Sequence, residues 1–343
     1  MPQLSPLSLS FPHTSSLEFS SFKKVYGPTP FINCLQQENW TSIKQKMEAL
    51  TRTKKYNSHP AQYYWYRYTH RAAVFEGILT GVKLSKHART ISTHERILPK
   101  RVKLFSAYLT KIKRQAEPLL LAHESPDFTN QLKKTICAVK HDFDFHNSTE
   151  RHQLWIIPPK AATTLENFAK NCTQFHLADG HHRLASIQDW AIKNQQNATV
   201  FAFLLAKDQL RNSRFLWALK TTALPKTVTD KMMTFTPDSP LWMQTKQGKF
   251  SLPVAANVNV AHYLYYDLLG NRNGAVNTKL AYLPPRESPE DYLDEFTAVF
   301  GFNAFTIEEV ISIAKQEQQL PPKSTYITPK LPTGLFIAPL EDH

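Results

Sequence analysis

The chain has 343 residues and a mass of 39.4 kDa, with 42% hydrophobic and 20% charged residues, which allows about two cored domains at ~100–200 residues each. Only 9 residues are glycine, and neither G-x-x-x-x-G-K-[ST] nor G-x-G-x-x-G occurs, which excludes the glycine-rich phosphate loops. Forty-one Lys and Arg against 28 Asp and Glu give a net charge of +13, a balance that first suggests an anionic partner such as nucleic acid.

Residues 1–60 are rich in Ser and Pro with weak periodicity and read as an irregular lead-in, with one helix expected around Trp40 to Leu50. No Lys or Arg precedes Lys23 and no compact apolar stretch occurs there, so no signal peptide is expected. From Tyr63 the runs YYWYRY and AAVFEGILTGVKL are aromatic and β-branched, as paired strands are. Val102, Phe105, Leu109 and Ile112 then recur at helical spacing, with Pro118 as the expected stop. The apolar run LWII (154–157) reads as a buried strand. Phe175 and Leu177 alternate with polar neighbours as in a strand, Asp179-Gly180 makes a turn, and Leu184, Ile187 and Ala191 keep helical spacing. Val200 to Ala206 is a further strand and the longest apolar run, at seven residues, far short of the ~20 that span a bilayer.

In the second half a helix is expected from Val258 to Leu269, stopped by Gly270. Another should open at Ser288-Pro289-Glu290-Asp291 and stop before Gly301. The capping box Thr306-x-x-Glu309 opens a third, and GLFIA (334–338) is a closing strand. Cys34, Cys137 and Cys172 are widely spaced and odd in number; they form neither a zinc signature nor a disulfide framework. The expectation is a reduced, cytoplasmic protein of mixed α+β class, with an N-terminal lead-in over 1–60, a core over 61–205 and an α+β C-terminal region over 206–343 that packs back on it.

The sharpest local feature is Ala178-Asp179-Gly180-His181-His182-Arg183. A strand turning directly into a helix presents backbone N–H groups and the positive end of the helix dipole. That is an anion site without a glycine-rich loop, to which two imidazoles and a guanidinium add donors. Asp179 would there hold a metal, cap the helix or orient a histidine. A protein-only metal site from His176, Asp179, His181 and His182 is a weaker alternative, because adjacent histidines on a helix point ~100° apart. The bland alternative is a capped helix start with solvated basic residues.

The segment from Val82 to Arg114 carries ten Lys and Arg against one acid, Glu95. A carboxylate in such a field is expected to stay ionised and can accept a proton from an alcohol beside a phosphate site; a surface ion pair is the plain alternative. Lys323-Ser324-Thr325-Tyr326, with Pro329-Lys330, offers an ammonium and two hydroxyls to a phosphate or a substrate carboxylate, or else is a polar strand-to-loop junction.

Taken in order, YWYRY (64–68), HER (94–96) with Arg101, ADGHHR (178–183) and LPPKSTYITPKLPTGLFIAPL (320–340) resemble the prokaryotic family catalogued as domain of unknown function 1015. That family is similar to the free serine kinases and, more distantly, to the ParB/sulfiredoxin fold. The resemblance implies a ParB-like nucleotide-binding core with a helical C-terminal elaboration and a closing strand. It makes Asp179, Gly180, His181, His182 and Arg183 the phosphate end of the site, with Asp179 at the metal. Glu95 becomes the candidate general base with His94 beside it, and Lys323, Ser324 and Thr325 become substrate or phosphate contacts. The implied activity is phosphoryl transfer from ADP or ATP with Mg²⁺ to a small hydroxylated metabolite, free serine being the family's example. Ile97 stands where the family usually has a threonine. A nucleotide-gated nucleic-acid-binding protein and a non-catalytic nucleotide or metabolite binder are the alternatives.

Overall fold

The computed structural model describes residues 1–12, 40–54, 56–84, 90–146, 149–271, 279–284 and 288–340. The chain divides into two compact units, one of Met1–Thr93, Pro99–Leu210 and Pro329–His343, the other of His94–Leu98 and Arg211–Thr328. The class is mixed α and β, as the sequence patterns require.

The first unit begins with two short strands, β1 (Gln3–Ser5) and β2 (Leu7–Pro12), then helix α1 (Trp40–Arg52) and strand β3 (Tyr56–Gln62). The aromatic run YWYRYTH forms β4 (Tyr64–His70), which turns into β5 (Ala73–Lys83), and the two pair antiparallel from Tyr64↔Leu79 to His70↔Ala73. Next come β6 (Ile91–Ser92), α2 (Pro99–Ile112), β7 (Arg114–Gln115), β8 (Leu119–His123) and α3 (Pro126–Ile136). They are followed by β9 (Phe143–His146), β10 (Glu150–Ile156), α4 (Pro159–Asn171), β11 (Phe175–Asp179), α5 (His181–Asn194) and β12 (Thr199–Ala206). The main sheet runs β6-β11-β8-β12-β5-β4-β10-β9, with β1 added on β5. β12 is buried along its whole length, as a central strand covered on both faces must be. α2 and α5 pack together, tied by the Ser186 hydroxyl donating to the Val102 carbonyl at 3.2 Å.

Several expectations are revised here. The stretch read as an irregular lead-in contains β1 to β3 and α1 among its described residues; Leu4, Leu7, Leu9 and Phe11 are buried, because partners distant in sequence cover them. The Trp40 helix is present. The helix through Val102 ends at Ile112, where Lys113 takes a left-handed φ of 56°; Pro118 follows only after β7. The closing strand over 334–338 is reduced to Ala338–Pro339, paired with β7.

The second unit carries a six-stranded sheet among its described residues, in the order β15-β17-β16-β19-β14-β18. In chain order its elements are β13 (Arg211–Ser213), β14 (Leu216–Leu219), α6 (Lys226–Thr229), β15 (Met233–Thr234), β16 (Leu241–Thr245) and β17 (Gly248–Ser251). Then follow α7 (Val260–His262), β18 (Leu280–Leu283), β19 (Ala298–Phe302), α8 (Ile307–Lys315) and β20 (Tyr326–Thr328), which pairs with β13. Alternation along the strands gives the sheet two apolar faces: Trp217, Leu241, Met243, Phe300 and Phe302 on one, Leu216, Ala218, Trp242 and Val299 on the other. This region therefore rests on a sheet more than on the expected helices. The helix sought over 258–269 is one short turn followed by a π turn at Tyr263–Leu268. The one sought from Ser288 is only a 3₁₀ turn, Pro289–Tyr292. The AVFGF run beyond it is buried throughout as β19. The Thr306–Glu309 capping box is formed, Thr306 Oγ1 accepting from the Glu309 N–H at 3.1 Å.

Cys137 and Cys172 are free thiols, and Cys34 lies outside the described residues. Among the described residues no helix is long and apolar enough to cross a membrane.

Candidate functional site

In the first unit the Asp179–Arg183 turn sits where β11 leaves the sheet. A bulge between Leu177 and Asp179 in the pairing with β8 aims the strand end outward. Gly180 takes φ +106° as the residue before α5 and has no side chain of its own to cap that helix. Only glycine adopts this backbone without strain. A Cβ there would also lie 2.6 Å from Leu119 Cδ2 and 3.2 Å from Arg183 Cζ. A fourteen-residue helix thus starts at a glycine N-cap, and a helix N-terminus favours an anion.

The charged residues around the turn are bound to one another. Arg183 donates to Asp179 Oδ2 at 2.6 Å and to the Glu117 carbonyl at 3.1 Å, also bonds the Pro118 carbonyl, and pairs with Glu117 Oε1 at 3.0 Å. Lys330 donates to Asp179 Oδ1. Both Asp179 oxygens therefore already face cations, and the guanidinium is a clamp on the β8 approach where the sequence suggested a free phosphate fork. His181 and His182 are buried, each 8% exposed, so they are not open donors. His176 bonds Ser92 Oγ through Nδ1 (2.8 Å) and Glu124 Oε1 through Nε2 (2.9 Å). Among the described residues no group of three or more His, Cys, Asp or Glu is placed to hold a metal ion. Asp179 is held by Lys330 and Arg183, and these side chains form no protein cage for Mg²⁺ by themselves.

In the second unit the HER segment is held against the Lys323–Thr325 segment. The Leu320 N–H donates to the His94 carbonyl at 2.7 Å, and the Arg96 N–H donates to the Leu320 carbonyl at 2.9 Å. Glu95 is buried, at 5% exposure. Its Oε2 accepts from the Thr325 hydroxyl at 3.2 Å and the Thr325 N–H at 3.4 Å, and the Lys323 N–H also donates to the carboxylate. Burial raises the Glu95 pKa above the ordinary carboxylate value, against the opposing pull of the Lys323 charge and of these donors. The basic field that was expected to keep it ionised is outweighed by desolvation. His94 Nε2 lies 3.1 Å from Thr325 Oγ1, so His94, Glu95 and Thr325 form one hydrogen-bonded group.

Lys323 takes a left-handed φ of 61°, and its carbonyl accepts from Trp217 Nε1 at 3.0 Å. Ser324 is fully buried and donates to the Pro321 carbonyl at 2.8 Å. Ser324 is therefore not placed as a ligand contact, and Thr325 contacts the carboxylate. Two participants went unassigned in the sequence: Lys330, seen only as part of a basic motif, and Glu117, which has no local signature. One motif, PKSTYITPK, supplies Thr325 to Glu95 in the second unit and Lys330 to Asp179 in the first.

Among solved structures, SbnI with C-terminal truncation from Staphylococcus aureus is 11% identical, with a TM-score of 0.47 over 71% of this chain and 81% of its own. A free serine kinase in complex with AMP is 16% identical (TM-score 0.46; 78% of this chain, 94% of that one). A conserved hypothetical protein from Pyrococcus furiosus is 15% identical (TM-score 0.46; 79% and 97%). No curated protein matches the chain. The family model described as "Protein of unknown function (DUF1015)" matches residues 22–210, more than half the sequence, and the chain belongs to that family.

Proposed function

We propose that the protein is a nucleotide-dependent phosphotransferase acting on a small hydroxyl-bearing metabolite, with Glu95 as general base and the Asp179–Arg183 turn as the phosphate station. The observation that carries this reading is Glu95 itself: a buried carboxylate with a raised pKa, fixed by Thr325 and the Lys323 backbone. A base whose pKa approaches the working pH takes a proton most effectively, and a positioned one contributes ~10²–10⁴-fold. In the reaction the substrate hydroxyl oxygen bonds to the terminal phosphorus of ADP or ATP, the bond from that phosphorus to the leaving phosphate oxygen breaks, and the hydroxyl proton passes to Glu95.

The glycine-headed start of α5 supports a phosphate station through backbone N–H groups. Lys330 and Arg183 then act by holding Asp179, which would otherwise place a bare negative charge beside the anion. Mg²⁺ would supply charge neutralisation from the nucleotide's side, since these residues offer it no protein cage. Free serine is the acceptor named by the sequence resemblance. The test is phosphorus NMR of the purified protein with Mg²⁺, ADP or ATP and a pool of hydroxylated metabolites. A new phosphomonoester resonance is expected from the native chain and none from Glu95→Gln, which should still bind nucleotide. No such resonance from the native protein, or an unimpaired variant, overturns the reading.

A second reading, nucleic-acid binding, is favoured by the exposed Lys100, Arg101, Lys103 and Lys111 of α2. It predicts DNA retention on filters that falls steeply with salt.

A further inference from the structure

The second unit contains a groove of about 540 Å³ on the Trp242 face of its sheet, bordered by Ser213, Arg214, Trp242, Lys249 and Glu290. No part of the proposed phosphotransfer uses it. Trp242 is its floor. The residue at position 301 on the neighbouring strand must be glycine for this, because a Cβ there would lie 2.2 Å from Trp242 Cζ2. Gly301 lies opposite Trp242 in the β16–β19 register, so the indole packs against the strand backbone.

Two cations lie over this ring. The Arg214 guanidinium carbon is 5.7 Å from the Trp242 centroid, and the Lys249 ammonium is 4.4 Å from it and 4.3 Å from Phe235. Among the described residues neither forms an ion pair with a carboxylate. An aromatic face attracts a cation through its quadrupole while leaving the N–H groups unspent, unlike a carboxylate, which would occupy them. Arg214 is half-buried, and desolvation works against its charge, lowering its pKa. An anion arriving between the two cations would relieve that cost. Among the described residues the carboxylate at the rim is Glu290, which accepts from the Ser288 hydroxyl and lies within the field of Lys249.

We propose that this groove is a binding site for a small phosphorylated metabolite, its phosphate held between Arg214 and Lys249. Two cations match a dianion, and the planar guanidinium matches phosphate oxygens in a bidentate manner. The volume falls within the ~300–1,000 Å³ of small-molecule sites and far exceeds one phosphate ion, so the ligand carries an organic part. With the Trp242 ring already covered by cations and by Gly301, no flat base stacks on it. Recognition runs through the anion.

The test uses the full chain and glycerol phosphate as probe, with inorganic phosphate and acetate alongside, followed by calorimetry and by the Trp242 indole N–H resonance, assigned through Trp242→Phe. Glycerol phosphate should move that resonance saturably and bind at least tenfold more tightly than acetate. Lys249→Glu, a change at an exposed side chain, should weaken it at least tenfold, and Arg214→Lys should weaken it several-fold by removing the fork. An unmoved Trp242 resonance, equal affinity for acetate, or unchanged binding in Lys249→Glu overturns the proposal. The Trp242 signal separates this groove from phosphate bound at the Asp179 turn, so failure of either reading leaves the other standing.

Discussion

Replacing Gly180 by alanine tests the geometry of the Asp179–Arg183 turn directly. The native backbone has φ +106° and ψ 25°, a region that costs an L-residue on the order of 1–3 kcal/mol. The added Cβ would meet Leu119 Cδ2 at 2.6 Å; Leu119 is only 1% exposed, so the clash must be absorbed inside the core, at about 1–3 kcal/mol. Together these give about 2–6 kcal/mol. For a unit of roughly 200 residues each kcal/mol lowers Tm by about 2–4 °C, so a fall of about 4–24 °C is expected by calorimetry. Because the clash is with one named side chain, the loss should be coupled to it. Leu119→Ala alone opens a cavity and destabilises, but in the double variant the combined loss should be smaller than the sum of the two. A Gly180→Ala protein melting within 1 °C of the native one, or strict additivity with Leu119→Ala, would refute the reasoning.

The remaining predictions concern charge. Arg183→Ala should cost about 2–4 kcal/mol of stability, since it strips the partners of Asp179 and Glu117 in a partly buried cluster; denaturant unfolding measures this, and unaltered stability with only weaker nucleotide binding would show that the arginine is a ligand and no clamp. The pH dependence has two opposite parts. Burial lowers the His152 pKa to about 3, below its unfolded value, so its stabilising contribution holds above ~6.5 and is lost as pH falls toward 3. His152→Gln should therefore flatten the acid limb of a Tm-against-pH curve, and an equally steep limb would count against it. Glu95 is raised instead, so its contribution is present below the unfolded carboxylate pKa and lost as pH rises through the folded one. Glu95→Gln should gain in Tm relative to the native chain on going from pH 4 to pH 8; a constant difference would contradict that sign.

Much of the first unit was legible because its signals are local. The β4–β5 hairpin, the helical spacing of Leu184, Ile187 and Ala191, and the Asp179-Gly180 turn each lie within one short window. The Thr306 capping box was readable for the same reason. The failures share a cause. Ser288-Pro289-Glu290-Asp291 carries every sign of a helix start, yet the AVFGF run beyond it is claimed by the six-stranded sheet, so tertiary pairing overrides the cap. β1 and β2 are too short to announce themselves and owe their burial to β5 and β3. At the site, the residue types were found but not their partners. Thr325 lies 230 positions from Glu95 and Lys330 lies 151 from Asp179, and no local pattern encodes such pairings. The upward direction of the Glu95 shift is not legible in the sequence, because charge can be counted along a chain whereas burial cannot.

The division of the first unit into segments bears on how the protein is made. Ser10 and Ile337 exchange backbone hydrogen bonds at 2.9 Å, Tyr56 donates to the Gly334 carbonyl at 2.9 Å, and Gln115 donates to the Pro339 carbonyl at 3.1 Å. Residues 211–328 are translated between these partners. A ribosome working at about 5–20 residues per second needs on the order of ten seconds for that stretch, and throughout it the first unit lacks Lys330 and its final strand. Asp179 then waits without Lys330, and Ser10 without Ile337, while the second unit emerges and folds. The ion pairs of the Asp179 turn are accordingly among the last contacts to form.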